Sequence, residues 1–324
     1  MLPVVLALII LAVVMVWSSR VMVGAFEVIV AHMSGKRKLI MASLFVALGT
    51  SLPELALAVT SAFENQSSLS VGNLLGANVA NVSLIVGVVA IVAGSLSVVG
   101  DFLHFEMAAA FVAGAAPLIL LMDGELSRLD GVILLVVYLI YFRDLVLADR
   151  HKVVGKGLMK HTKFLYEIKQ LDIEHNWKVY AKIVFGMAVL LASSDLVVKM
   201  VAGVATVFHI NSMVVGIVVL AIGTTLPELI LSITAIREKQ VALVFGNLLG
   251  SVVTNSTLIM GILAVIRPVS VATAPNLAMT NISFVLLFGL LWLLTKTKKS
   301  LERWEGMVLV GCFLMATGLQ FLAR

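Results

Sequence analysis

Apolar segments long enough to cross a lipid bilayer recur along this whole chain. A helix needs roughly 20 predominantly apolar residues to span the bilayer core. Hydrophobic residues occupy 61% of the 324 positions, and the mean hydropathy is +1.11. Charged residues make up 13% of the chain, whereas soluble domains average about 25%. The composition therefore predicts an all-α integral membrane protein rather than a soluble protein with a large core.

The apolar runs, separated by Gly, Pro and charged residues, predict ten transmembrane helices. The first five lie near residues 2–32, 39–64, 69–95, 102–122 and 129–148, and the second five near 178–208, 212–236, 241–265, 274–295 and 304–322. A polar segment rich in Lys, His and Glu lies between the two sets. We therefore expect three parts: a first five-helix unit at 1–148, a linker at 149–177 and a second five-helix unit at 178–324.

Basic residues predict the orientation of the spans. Lys and Arg residues in the loops are divided 16 to 3 between the two sides, and the side richer in basic residues faces the cytoplasm. The linker is therefore expected in the cytoplasm and both termini outside a plasma membrane. The net charge of +5 is explained by this topology, so it does not indicate a nucleic-acid partner.

A heptapeptide is present twice in the chain. "GTSLPEL" begins at Gly49 and "GTTLPEL" at Gly223, and "GNLLG" recurs at the same spacing of 174 residues. Residues 49–81 and 223–255 share 18 identities without a gap, which indicates an internal duplication. Because each half has an odd number of spans, the second copy is expected to be inverted, as in many secondary transporters.

The repeated Pro is expected to break the second and seventh spans. Proline lacks a backbone N–H and clashes with the carbonyl of the residue four positions earlier. We expect carbonyls before the break, such as those of Ala47 and Thr50, to lose their helical partners. Such carbonyls are tolerated at membrane depth only inside protein or facing water or an ion.

The break also carries a Glu in each copy, Glu54 and Glu228. A carboxylate within a span costs roughly 2.5 kcal/mol or more, so a cation, a proton or a polar partner must neutralise it. Hydroxyls beside the break and Asn side chains after "GNLLG" add uncharged oxygens, which suit hard cations such as Na⁺ or Ca²⁺. Alternatively, the acids could be protonated and the asparagines could serve only helix packing.

Other chemistries find little support in the sequence. The chain has one cysteine, Cys312, so neither a disulfide framework nor a thiolate metal site is expected. An intramembrane enzyme would need a nucleophile with its base or a motif such as His-Glu-x-x-His, and the sequence has neither. Asp195 and Arg20 occupy nearly equivalent positions in the sixth and first spans, where they could either snorkel to an interface or form a gating ion pair.

The motif G-T-S-L-P-E-L followed by G-N-x-x-G-[AS]-x-x-x-N, present twice, resembles the α-repeats of the sodium/calcium exchanger family. The resemblance implies a secondary antiporter that exchanges Na⁺ for Ca²⁺ by alternating access, with the first and sixth spans sliding on a fixed bundle. It implies no cofactor beyond the transported ions, and we expect function as a monomer in the lipid bilayer. The implied ligands are Thr50, Ser51, Glu54, Asn81, Thr224, Thr225, Glu228, Ser251 and Asn255, with the carbonyls of Ala47 and Ala221.

Two positions differ from the pattern of related proteins. Ala77 stands where prokaryotic relatives often carry Ser, a hydroxyl retained here at Ser251. Asn255 stands where some relatives have Asp, which leaves two carboxylates and no titratable group at that position. The same scaffold running H⁺/Ca²⁺ exchange, or exchange with K⁺ or another divalent cation, is the alternative, because glutamates bind protons as well as sodium.

Overall fold

A computed structural model describes residues 2–31, 49–97, 101–147, 177–208, 210–271, 275–298 and 300–322. Most of these residues are helical, as expected where apolar surroundings force backbone groups to bond within their own segment. The all-α class predicted from composition is confirmed. Ala47 and nearly all of the linker at 149–177 lie outside the described residues.

The described part of the first half consists of helices and two short strands. Their order is α1 (Leu2–Ala31), α2 (Leu52–Phe63), α3 (Ser67–Ala80), α4 (Val86–Ala93), β1 (Ser95–Ser97), α5 (Asp101–Leu120), β2 (Glu125–Leu126) and α6 (Arg128–Leu147). A π-helical turn at Asn81–Ile85 joins α3 to α4, and a 3₁₀ turn at Leu121–Asp123 follows α5.

The second half follows the same plan. Its elements are α7 (Trp177–Val207), α8 (Ser212–Val215), α9 (Ala221–Thr224), α10 (Leu226–Arg237), α11 (Val241–Val253), α12 (Met260–Ile266), β3 (Val269–Ser270), α13 (Pro275–Lys298), β4 (Ser300–Glu302) and α14 (Arg303–Leu322). π-helical turns at Gly216–Leu220 and Thr254–Ile259 connect α8 to α9 and α11 to α12.

Elements of the two halves match at the spacing of the sequence repeat. Helices α2 and α10 each have 12 residues and start 174 positions apart, and α1 and α7 have 30 and 31 residues. The strands pair across the halves in antiparallel fashion, β1 with β4 and β2 with β3. The conformations of the two copies are therefore alike, and each half contributes one strand to each small sheet.

Seven helical segments of the described residues are long and apolar enough to cross a membrane. They are Leu6–Ala25, Ser67–Ala93, Glu106–Asp123, Trp177–Val207, Ser212–Arg237, Val241–Ile266 and Asn276–Lys296. Helix α2 is apolar but shorter, and the run predicted for its span begins outside the described residues. Helices α6 and α14 lie where two more spans are expected. A multi-pass membrane protein is thus supported, and the number ten stays a prediction.

The long helices α1 and α7 pack along each other. Met15 and Met22 of α1 join Leu190 and Val198 of α7 in a buried cluster that is separate from the larger core of the remaining helices. Gly186 of α7 lies against Met22, where a Cβ would collide with the Met22 side chain. The same cluster also includes side chains of α2 and α3, so the two long helices pack on each other and against one side of the bundle.

A close crossing of the two halves requires glycine at two positions. Gly72 of α3 faces the carbonyl oxygen of Met213 in α8, and Gly216 faces the carbonyl oxygen of Leu69. A Cβ at either position would collide with backbone, so only glycine permits this approach. The crossing holds α3 against the segment that leads to the second helix break.

Asp195 pairs with Lys199 in the structure, not with Arg20. The Asp195 carboxylate accepts from Lys199 Nζ at 2.9 Å, one turn along α7. Lys199 Nζ also lies 3.3 Å from Glu64 Oε1, just beyond α2. All three side chains are partly exposed, so these contacts contribute little stability.

In each copy of the motif, one non-helical residue separates the preceding helix from the helix that begins with Leu-Pro. Ser51 and Thr225 precede α2 and α10 with φ and ψ of −89° and 9° and of −82° and 3°, outside the helical region. The carbonyl that loses its helical donor is that of Gly49, four residues before Pro53. It accepts a hydrogen bond from Ser19 Oγ of α1 at 2.7 Å. The expected loss of a helical partner is thus observed at Gly49, and the expectation for Thr50 stays a prediction.

We predict that Ser19→Ala destabilises the protein more than Ser193→Ala, the equivalent change in α7. Ser19→Ala leaves the buried Gly49 carbonyl without a donor, which costs about 1–3 kcal/mol. The Ser193 hydroxyl donates only to the Val189 and Leu190 carbonyls of its own helix, so its loss should cost under about 0.5 kcal/mol. Thermal unfolding of the detergent-solubilised variants measures both; equal losses would contradict the assignment.

Candidate cation-binding site

The two acids of the repeated motif are fully buried. Glu54 lies in the first turn of α2 and Glu228 in the first turn of α10, and each has 0% of its surface exposed. A helix N-terminus stabilises a nearby anion by its unpaired N–H groups and its dipole. The helix break therefore places each carboxylate where the backbone favours its ionised form, although desolvation opposes that form.

Each threonine before the break bonds to the other half of the chain. Thr50 Oγ1 donates to Asn247 Oδ1 of α11 at 3.3 Å, and Thr224 Oγ1 donates to Asn73 Oδ1 of α3 at 3.2 Å. The two bonds are equivalent, because Asn247 follows Asn73 by the repeat spacing of 174 residues. These two contacts tie the break of each half to the "GNLLG" helix of the other.

The same threonines also lie beside the carboxyl groups. The Thr224 hydroxyl is next to the carboxyl group of Glu54, and the Thr50 hydroxyl is next to that of Glu228. The carboxyl groups themselves are near enough to repel each other when both are ionised. The structure therefore brings Glu54, Glu228, Thr50 and Thr224 into one buried site.

Ser251 distinguishes the two carboxyl groups. Its hydroxyl donates to Glu228 Oε1 at 3.3 Å, whereas the equivalent residue in the first half, Ala77, has no hydroxyl to offer Glu54. Both oxygens of Glu54 are buried without a hydrogen-bond partner among the described residues, and so is Oε2 of Glu228. Glu54 thus has two carboxylate oxygens without a hydrogen-bond donor, whereas Glu228 has one.

Asn81 and Asn255 lie in π-helical turns. Asn81 begins the turn that ends at Ile85, and Asn255 lies in the turn at Thr254–Ile259. Both side chains are completely buried, and their amide oxygens and nitrogens have no hydrogen-bond partner among the described residues. π-helical turns are frequent at functional sites, and an unpaired amide oxygen is a suitable cation ligand.

The remaining predicted ligands differ between the halves. The Thr225 hydroxyl donates to the Ala221 carbonyl at 2.8 Å, and that carbonyl also accepts from the Thr225 backbone N–H at 3.2 Å. Both lone pairs of the Ala221 carbonyl are therefore occupied in this conformation. The Ser51 hydroxyl, equivalent to that of Thr225, is buried without a partner among the described residues. Ala47 lies outside them.

Sequence reasoning missed Asn73 and Asn247. Both are the second residue of the repeated "GNLLG", buried at 0% and 3% exposure, and a polar residue repeated within two apolar spans was the available signal. Asn78 was also missed; its Nδ2 donates to Ser256 Oγ of the other half at 2.7 Å. Asn78 is not repeated, since Val252 occupies the equivalent position.

The donor set is made of oxygen atoms. The described residues contain no group of three or more His, Cys, Asp or Glu side chains that could hold a metal. Two carboxylates with hydroxyl and amide oxygens suit a hard cation better than a transition metal. A buried oxygen site in a multi-pass helical protein is characteristic of a cation transporter.

Comparison with known proteins identifies the family. The model of the sodium/calcium exchanger protein family matches residues 3–143 and 178–322, and the chain belongs to that family. Sodium/calcium exchanger MaX1 of Methanosarcina acetivorans is 27% identical over 309 residues, which are 87% of this chain and 88% of the relative. These matches support a cation/Ca²⁺ exchanger.

Two solved structures share the fold. The sodium-calcium exchanger NCX_Mj, soaked with Na⁺ and Sr²⁺, has a TM-score of 0.60 at 22% identity and coverage of 97% of both chains. The H⁺/Ca²⁺ exchanger CAX has a TM-score of 0.72 at 15% identity, covering 98% of this chain and 86% of the other. The fold is thus common to exchangers named for Na⁺ and for H⁺.

The asymmetry at Ser251 generates a prediction. Ser251→Ala should weaken Ca²⁺ binding about fivefold, because loss of one hydrogen-bonding hydroxyl costs about 1 kcal/mol. Ala77→Ser, which supplies the missing hydroxyl beside Glu54, should instead strengthen Na⁺ competition. Equilibrium ⁴⁵Ca²⁺ binding to purified protein, with and without Na⁺, measures both effects. Unchanged binding in both variants would show that this position does not contact the ions.

Proposed function

We propose that the protein is a secondary antiporter that exchanges Na⁺ for Ca²⁺ across the membrane. The observation that carries the proposal is the meeting of two fully buried glutamates, one from each half, among uncharged oxygens. The proposed ligands are Thr50, Ser51, Glu54, Asn81, Thr224, Thr225, Glu228, Ser251 and Asn255, with the carbonyls of Ala47 and Ala221. The Ala221 carbonyl would bind a cation once the Thr225 hydroxyl turns away from it.

Charge balance supplies the coupling. Two carboxylates neutralise one Ca²⁺ or two Na⁺, so occupancy by one kind of ion disfavours the other. A site emptied of cations would bring two like charges close together in surroundings of low dielectric constant, which is costly. The protein would therefore cross between its two open states mainly when loaded. Binding of a further Na⁺ by the neutral oxygens would make the exchange electrogenic.

An asymmetry between the two breaks supports alternating access. At the first break, Gly49 packs so closely on α1 that a Cβ would collide with Val23. At the second, a Cβ on Gly223 would have Ala12 as its nearest neighbour at 3.9 Å. An apolar cavity of about 310 Å³ lies there between α1 and the second break, lined in part by Val16, Val197 and Thr224.

This asymmetry is the kind of difference between the halves that alternating access requires. The two breaks have equivalent sequences but different packing, since α1 lies tightly against Gly49 and leaves space at Gly223. A shift of the paired helices α1 and α7 along the bundle would exchange these environments. The buried contacts that α1 and α7 share and the close fit of Gly186 against Met22 support their movement together.

The repeat supports an inverted arrangement of the halves. We propose two five-helix units, at 1–148 and 178–324, inverted relative to each other and joined by a cytoplasmic linker at 149–177, with ten spans in a plasma membrane and both termini outside. The recurrence of each element after 174 residues and the cross-paired strands support this division. Since one chain holds both carboxylates, a monomer suffices for one site.

H⁺/Ca²⁺ exchange is the second candidate. Protons can neutralise Glu54 and Glu228 as well as Na⁺ can, and the fold of the H⁺/Ca²⁺ exchanger CAX resembles this one. Asn255 provides no third titratable group, and the unpaired amide and hydroxyl oxygens of Asn81 and Ser51 can bind Na⁺ but cannot store a proton at neutral pH. These neutral donors favour the sodium reaction.

We predict that proteoliposomes loaded with Na⁺ accumulate ⁴⁵Ca²⁺ when the external medium lacks Na⁺. Vesicles loaded with K⁺, and vesicles given only a pH gradient, should accumulate little, because the coupling requires Na⁺ to leave the shared site. Uptake that follows the pH gradient would replace the sodium proposal by the proton one. If neither the Na⁺ gradient nor the pH gradient drives uptake above the protein-free background, both proposals are contradicted.

We also predict that Glu54→Gln and Glu228→Gln each abolish Na⁺-driven ⁴⁵Ca²⁺ uptake, because one remaining carboxylate cannot balance Ca²⁺. Glu106→Gln is a matched control: Glu106 is buried at 3% exposure on α5 and accepts from the Tyr141 hydroxyl at 3.0 Å. The control should retain uptake. Size-exclusion profiles and unfolding temperatures confirm folding; full uptake by both site variants would contradict the assignment.

A further inference from the structure

The two buried asparagines of "GNLLG" have a role that their burial alone does not explain. Each accepts a hydrogen bond from the threonine of the opposite half, at 3.3 Å for Thr50 with Asn247 and 3.2 Å for Thr224 with Asn73. Each threonine hydroxyl also lies beside a carboxyl group of that opposite half, Glu228 or Glu54. Each hydroxyl is therefore hydrogen-bonded to an asparagine and has a carboxyl group of the same half nearby; the Thr224 hydroxyl also lies 3.5 Å from the Ala221 carbonyl.

A hydroxyl carries one proton and two lone pairs. When the proton points to the asparagine, the lone pairs turn away from it and are available to a cation between the glutamates. When the proton points to the carboxylate, it occupies an oxygen that a cation would use. The acceptor on the asparagine thus decides whether the threonine presents lone pairs or a proton to the site.

We propose that Asn73 and Asn247 are positioning residues that hold the Thr224 and Thr50 hydroxyls in the orientation that binds cations. This inference rests on the proposed cation exchange. In the unloaded site the threonine proton turns to the carboxylate and relieves part of the repulsion between the two acids. When a cation binds, the threonine proton returns to the asparagine. Cation binding at a carboxylate of one half therefore changes the hydrogen bonding of the threonine of the other half.

The proposed role of the asparagines is comparable to that of residues that hydrogen-bond to metal ligands and orient them without contacting the metal. Such partners typically change metal affinity by about 10–100-fold when they are removed. The asparagines are suited to it because they are rigidly held: Asn73 belongs to the helix α3 that crosses α8 at Gly72 without side-chain space between them. The position of Asn73 one residue after that glycine fixes its distance to Thr224.

The test compares leucine and aspartate at each asparagine. Asn73→Leu keeps the size but removes the acceptor, whereas Asn73→Asp keeps both size and acceptor, and the same pair is made at Asn247. We expect the leucine variants to lose about 10-fold or more in ⁴⁵Ca²⁺ affinity measured at equilibrium in detergent, with a raised KM and a largely preserved maximal rate of uptake. The aspartate variants should retain affinity within about threefold of the wild type or exceed it. If a leucine variant does not fold, Asn→Ala replaces it.

A double-mutant cycle separates positioning from general damage. In a Thr224→Val background there is no hydroxyl to orient, so Asn73→Leu should cause little further loss of affinity. The matched control is Gln320→Leu, which breaks a buried bond from Gln320 Nε2 to Thr280 Oγ1, 3.0 Å long, between α14 and α13. It should lower the unfolding temperature without changing Ca²⁺ affinity.

The outcomes distinguish this inference from the proposed function. Equal loss with leucine and aspartate, no loss with leucine, or additive losses in the Thr224→Val background would overturn the positioning role while leaving cation exchange in place. Absence of Ca²⁺ and Na⁺ binding in the folded wild type would instead overturn the proposed function. Loss of affinity in leucine variants, rescue by aspartate and non-additivity with Thr224→Val would together establish the role.

Discussion

Two carboxyl groups are buried in a membrane-embedded bundle, and the helix breaks, the polar side chains around them and the close helix packing all serve to make this burial possible. Glu54 and Glu228 are both fully buried, and an acid within the bilayer is tolerated only with compensation. The compensation comes from the surrounding architecture: helix N-termini behind each acid, hydroxyls and amides around them, and glycines that allow the helices to meet. Removing any of these features would leave the charges more costly.

The helix break follows from that constraint. A continuous helix would place each acid in mid-helix, far from any helix terminus, whereas proline ends one segment and starts another at the acid. The same break frees the Gly49 carbonyl, which Ser19 of α1 then satisfies. Because the donor belongs to α1, this hydrogen bond links the helix break to the packing of the paired long helices.

Near symmetry of sequence is combined with asymmetry of contacts. The threonine-to-asparagine bonds are equivalent in the two halves, whereas Ser251 has no counterpart hydroxyl and Thr225, unlike Ser51, is bonded to the backbone. Some of these differences come from the sequence, such as Ala77 in the position equivalent to Ser251. Others arise between nearly identical motifs and therefore reflect conformation. An example is the tight packing at Gly49 compared with the looser packing at Gly223.

The membrane class, the repeat, the positions of the breaks and the two acids could be predicted before any fold was known, because hydrophobic length, internal identity and the missing N–H of proline are local properties. The family was likewise readable from the repeated motif. That Asn73 and Asn247 face the threonines is visible only in the folded chain. The Asp195–Lys199 and Thr225–Ala221 contacts, by contrast, join residues four positions apart, a spacing that the sequence already contains. The threonine and asparagine partners lie 151 and 197 residues apart, and their meeting depends on how helices cross, which no local pattern encodes.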